Sequence, residues 1–84
     1  MPTLSRFHGI AIRMYYQQAE HNPPHIHAFY GDDVAAVDIQ TGIVIDGQLP
    51  PKVLSMVRKW IGMNKADLLV IWDTQSFKTL PPLE

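Results

Sequence analysis

Cysteine is missing from all 84 residues. Its absence removes disulfide staples, thiolate metal sites and thiol nucleophiles together. A surplus of positive charge is missing too. Seven Lys and Arg stand against eight Asp and Glu, for a formal net charge of −1, so no global field draws the chain to nucleic acid or anionic lipid. Arg58 and Lys59 are adjacent basic residues on an expected helix, read as a solvated face ahead of the alternative, a local phosphate grip. Long apolar runs are absent as well. Residues 68–72, the longest, are far too few to span a bilayer, and residues 1–10 carry Arg6 and His8 but no apolar signal segment. A cytoplasmic protein is the expectation. There is no internal repeat and no low-complexity linker, and the length suits one core, so residues 1–84 are read as a single domain.

What is present is a change of hydrophobic period halfway along. Residues 10–16 alternate, with Ile10, Ile12, Met14 and Tyr16 out of phase with Ala11, Arg13 and Tyr15, and read as a strand. Residues 17–24 are polar and proline-containing, hence a loop. Residues 25–30 alternate again, Gly31-Asp32 is a favoured two-residue hairpin turn, and a strand over 33–40 follows, with a short apolar continuation at 43–45. After Pro50-Pro51 the period becomes helical. Val53, Leu54, Val57, Trp60 and Ile61 form one stripe, and Gly62 is placed to end the helix. Asn64 reads as the N-cap of a second, mostly buried helix over 66–73, and residues 76–84 as a tail that Phe77 and Leu80 pack back onto the sheet. The expected fold is α+β, a small antiparallel sheet of three to four strands covered by two C-terminal helices. Trp60, Trp72, Leu54 and Leu68 are read as core.

One segment departs from what folding needs: Glu20-His21-Asn22-Pro23-Pro24-His25-Ile26-His27. Two prolines fix φ on the approach to His25, so little entropy remains to be lost there. His25 and His27 are two apart on a strand and share a face. Ile26, Ala28 and Tyr30 belong to the core face, with Ile10, Ile12 and Met14 of the first strand and Ala35, Val37 and Ile39 of the third. That leaves both histidines on the other side. With Gly31-Asp32 as the turn, His25 falls opposite Asp38 and His27 opposite Ala36; with the turn one residue later, His27 falls opposite Asp38. Arg13 and Tyr15 join this face if the first strand lies alongside. Ile43 and Ile45 also reach it and cover part of it.

Three readings of the segment follow. In the first, it is a polar sheet face and a turn. In the second, His25 and His27 are a general base and acid on a phosphodiester, Arg13 holds the phosphate, Asp38 fixes a ring, and Tyr15, Tyr16, Phe29 and Tyr30 offer stacking surface for RNA bases. In the third, His21, His25 and His27 ligate a divalent metal such as zinc, with Asp38, Glu20 or water completing the set. No other cofactor is expected.

The segment from His21 to Ala28, Gly31, Gly47-Gln48-Leu49-Pro50, Trp60, Leu68, Trp72 and Leu80-Pro81-Pro82-Leu83 together resemble the bacterial family known as domain of unknown function 4160, over residues 10–83. The family has no established activity, so the resemblance implies no catalytic residue. It does imply a genetic setting. Members tend to be encoded beside another small uncharacterised protein, an arrangement similar to toxin–antitoxin modules. That favours two roles equally, a ribonuclease-like toxin component and a non-catalytic partner of the neighbouring small protein.

Overall fold

The computed structural model describes residues 2–15 and 23–84. Five strands, β1 (Thr3–Phe7), β2 (Ile10–Arg13), β3 (His25–Tyr30), β4 (Asp33–Asp38) and β5 (Val44–Gly47), precede one helix, α1 (Pro51–Thr74). The strands form an antiparallel meander in the order β1-β2-β3-β4-β5. The α+β class and the sheet-then-helix order are as expected, with one strand more and one helix fewer.

The extra strand is β1. A bulge between Thr3 and Ser5 breaks its alternation, so Leu4 and Phe7, three apart, both turn inward while Arg6 faces solvent. No period-two signal survives in so short a stretch. The turn that follows is legible in hindsight: His8 and Gly9 both have positive φ, at 49° and 78°, the pair of values a type I′ hairpin turn requires. The first strand of the sequence reading ends at Arg13 instead of residue 16, the third at Asp38 instead of 40, and the last spans Val44–Gly47 instead of 43–45.

Gly62 does not end the helix. The chain runs on for 24 residues from Pro51, with a kink at Asn64 (φ −120°, ψ 15°). Asn64 therefore marks a real break, but not as an N-cap: its Nδ2 donates to the Trp60 carbonyl at 3.0 Å, occupying an acceptor of the turn before it. Both halves keep one stripe inward, Val53, Val57, Trp60 and Ile61 before the kink and Leu68, Ile71 and Trp72 after it. Removing this apolar stripe from water is the main force that holds α1 on the sheet. The stripe joins Ile10, Ile12, Met14, Ile26, Ala28, Ala35, Val37 and Ile39 in one buried cluster. Tyr30, expected inside, is 37% exposed at the end of β3. The C-terminal tail does pack back. Leu80 N–H donates to the Leu4 carbonyl at 2.7 Å, the Trp60 indole N–H donates to the Pro81 carbonyl at 2.8 Å, and Leu80 and Leu83 are buried.

The β4–β5 pairing depends on one glycine. Gly47 lies opposite Ala35 at φ +76°, and a Cβ there would overlap the Val34 carbonyl oxygen and crowd the Ala35 Cα. Neither neighbour is a flexible side chain. Gly47→Ala is expected to cost about 2–4 kcal/mol, combining left-handed strain with a forced backbone shift. Urea denaturation measures it, and a midpoint within error of wild type would mean that β5 is not held as described.

Candidate functional site

The register places the histidine face. His25 pairs with Asp38 and His27 with Ala36, as the Gly31-Asp32 turn dictates; Gly31 supplies the positive φ at 57°. Arg13 pairs with His27 and Asp46 with Ala36. One row thus runs across four strands as Arg13, His27, Ala36 and Asp46, on the side of the sheet away from Ile26 and Val37. Arg13 and His27 share that face because every partner along the row is in direct register.

The two imidazoles lie side by side, with ring centroids 5.2 Å apart and planes at 67°. They belong to a ladder of four rings. Tyr15 meets His27 edge-on at 4.3 Å, and His25 leans on Trp72 of α1 at 5.1 Å. Both histidines are half-buried. His25 Nδ1 lies 2.8 Å from the Pro23 carbonyl oxygen, which fixes the proton on Nδ1 and leaves Nε2 as the outward atom. The Pro23-Pro24 pair thus does more than stiffen the approach: it supplies the acceptor that sets the tautomer.

His27 Nδ1 and Arg13 Nε are both buried without a hydrogen-bond partner among the described residues. Leaving a polar atom in that condition costs about 1–3 kcal/mol; Ser5 Oγ of β1 is in the same condition, while Arg13 and His27 stand together on one cross-strand row. The Arg13 guanidinium carbon lies 5.1 Å over the Phe29 ring, a cation–π contact that holds the charge on this face.

Asp38 is the cross-strand neighbour of His25, but its carboxylate turns the other way. Oδ1 accepts from the Gln40 and Thr41 amides at 2.7 and 3.1 Å, so Asp38 shapes the β4–β5 turn while Pro23 orients the ring. The carboxylate whose charge acts on His27 is Asp46. With Pro23, His25, His27, Ala36 and Ile45 it lines a cleft of about 200 Å³, which is below the size of sites that enclose a drug-sized molecule and suits a small polar group. Sequence reasoning missed Asp46 and Trp72 because each arrives from an element whose register or kink is not readable in the chain. Ile45 covers part of the face as anticipated, while Ile43 is 61% exposed.

Burial pushes the His27 pKa below its ordinary value, the neighbouring His25 charge adds to the effect, and Asp46 opposes it. The unfolded chain therefore takes up this proton more readily than the fold does. The contribution of neutral His27 is whole above the unfolded value of 6.5 and is lost as pH falls through the lower folded-state value. The melting temperature is expected to drop as the pH is taken from about 7.5 to about 5, and His27→Gln is expected to flatten the drop. An identical pH dependence in the variant would assign the proton uptake elsewhere.

His21 and Glu20, named for the metal reading, lie outside the described residues. Among the described residues no group of three His, Asp or Glu is disposed to hold a metal ion, and no helix is long and apolar enough to cross a membrane. No curated protein and no solved structure matches the chain. Residues 9–73, which hold β2 to β5, nearly all of α1 and every residue lining the cleft, match the family described as "Domain of unknown function (DUF4160)", and the chain belongs to that family.

Proposed function

We propose that the protein acts on RNA through His25 and His27, as one component of a toxin–antitoxin-like pair. The observation that supports this reading is the adjacency of two half-buried imidazoles, 5.2 Å apart, with burial and the neighbouring His25 charge disfavouring a proton on His27. Metal-free transesterification needs one base and one acid, and two adjacent imidazoles can supply both. His27, whose proton burial disfavours, is the base; it takes the proton of a ribose 2′-hydroxyl. The 2′-oxygen attacks phosphorus and the bond to the 5′-oxygen breaks. His25 delivers its Nε2 proton to that leaving oxygen, giving a 2′,3′-cyclic phosphate and a 5′-hydroxyl. Arg13 faces the anionic oxygens, and Asp38 serves by holding the turn beside His25.

The test is cleavage of single-stranded RNA by tag-free protein with a chelator present. A bell-shaped pH–rate profile and cyclic-phosphate ends are the expected result, with no cleavage where the scissile nucleotide is 2′-deoxy. Cleavage that needs added metal, or none above background, defeats the reading.

A second reading has its own support. Tyr15 is 42% and Ile45 47% exposed on or beside the cleft, and Val34 is 40% exposed two residues before Ala36, apolar surface that suits a protein partner. Co-expression with the product of the adjacent gene is expected to yield a complex in which Ile45→Asp weakens binding; recovery of only the free chain rejects it.

A further inference from the structure

A second hollow lies on the helix side of the β4–β5 turn. Gln40, Thr41, Gly42, Arg58, Gly62 and Lys65 line it, its volume is about 200 Å³, and no carboxylate contributes to it. From this arrangement we infer that Arg58 and Lys65 form a binding site for a phosphate group.

Both cations are tied down. The Arg58 stem lies on Gly42, where its Cγ, Cδ and Nε are within ordinary contact of the space a Cβ would take, and its Nε–H donates to the Gly42 carbonyl at 2.7 Å. Lys65 Nζ donates to the Gln40 carbonyl at 3.1 Å. Long side chains on a helix surface ordinarily stay mobile, and ordering each costs about 1–2 kcal/mol of rotamer entropy. Here both are held on two carbonyls of one turn, bordering one hollow. Each carbonyl contact uses a single donor. The guanidinium keeps its terminal N–H groups and the ammonium keeps two of three, so an anion between them has several donors to accept from.

The fold builds this juxtaposition from three local features. Gly42 takes φ +75°, a left-handed conformation that glycine adopts without strain, and its carbonyl accepts from the Arg58 Nε–H. The kink at Asn64 falls between Arg58 and Lys65 and re-aims the second of them. Gly62 has nothing within 4 Å of where a Cβ would be, which leaves open space between the cations. A phosphate is the occupant that fits best, since it is compact, carries up to two charges and accepts from several donors at once. The turn itself links this hollow to the histidine cleft: Asp38 pairs with His25, and the Ile39 amide donates to the Pro24 carbonyl at 2.9 Å. A chain of phosphates passing the cleft would meet the hollow on the far side of the same turn. The site does not depend on the imidazole chemistry.

Amide shifts in heteronuclear NMR test it, with inorganic phosphate in one titration and a single-stranded RNA oligonucleotide in another, at matched ionic strength. The Gln40, Gly42 and Gly62 amides are expected to move, and Arg58→Gln and Lys65→Gln, both at exposed positions, are expected to abolish the movement while leaving the melting temperature unchanged. Movement with phosphate alone identifies a free phosphate or small phosphorylated ligand. Movement with RNA alone identifies the nucleic-acid backbone, and the salt slope of RNA binding should then fall by about 0.7 in the double variant, the share of one phosphate contact on a single strand. Still amides in both titrations, or equal movement in wild type and variants, overturn the site. Persistence of the movement in a His25→Ala, His27→Ala chain that cleaves nothing separates its fate from that of the cleavage reading.

Discussion

Trp60→Ala is expected to leave the chain at the edge of unfolding. The indole has no exposed surface, lies 5.8 Å from Phe7 of β1 by ring centroid, and ties down the tail through Pro81. Removing so large a buried side chain costs about 3–5 kcal/mol, against a total of roughly 4–12 kcal/mol for a domain of this length. Three parts lose their common support at once: the first half of α1, β1 and the tail. Chemical denaturation followed by far-UV circular dichroism gives the number. Trp60→Phe, which keeps most of the apolar volume and loses only the bond to Pro81, is expected to cost far less, about 1–2 kcal/mol. Equal losses in the two variants would shift the weight from burial to the hydrogen bond. A Trp60→Ala midpoint matching wild type would contradict the core described above.

The second large effect concerns activity. If the imidazole pair performs the proposed transfer of one proton in and one proton out, His25→Ala and His27→Ala should each reduce cleavage by about 10²–10⁴-fold, and the double variant should be little worse than either single one because the two act as a unit. Their effects on stability should differ from this pattern. His27→Ala removes a buried nitrogen that has no described partner, so it loses packing against Tyr15 without orphaning a described acceptor. His25→Ala gives up both the Pro23 contact and the ring packing on Trp72. The variants are therefore compared at a temperature where each is folded. His25→Asn and His27→Gln, which keep hydrogen-bonding groups but cannot exchange a proton near neutral pH, should be as inactive as the alanine forms. Full activity in either conservative variant would refute the acid–base assignment.

How far the sequence reveals this arrangement depends on the range of each interaction. The β3–β4 hairpin is local: alternation and a two-residue turn narrow the register to two, and with Gly31-Asp32 as the turn the observed pairing of His25 with Asp38 follows by counting. The face shared with Arg13 also follows from strand phase, once β2 is set beside β3. Where side chains point after that is another matter. Asp38 can satisfy either an imidazole or the amides of its own turn, and the amides two and three residues away win because they are already in place. Asp46 reaches the cleft only through an irregular β4–β5 register that shifts between Ala36 and Val37, and a bulge leaves no periodic trace. Trp72 reaches His25 because the helix passes Gly62 and bends at Asn64, so a glycine that looked like a stop is tolerated by the packing on either side of it. Propensity yields here to the tertiary contacts of a long apolar stripe.

The sheet has two unlike margins. Along β1, the segment carrying Leu80 and Leu83 lies against the outermost backbone and engages the Leu4 carbonyl, whereas β5 has no strand beyond it among the described residues. A sheet that can accept a neighbour at both rims can polymerise without limit; one that is sealed at a single rim can only pair off. Shortening the chain before Leu80 would unseal that rim and leave both edges of the sheet open to a neighbouring strand, the condition under which unlimited stacking begins.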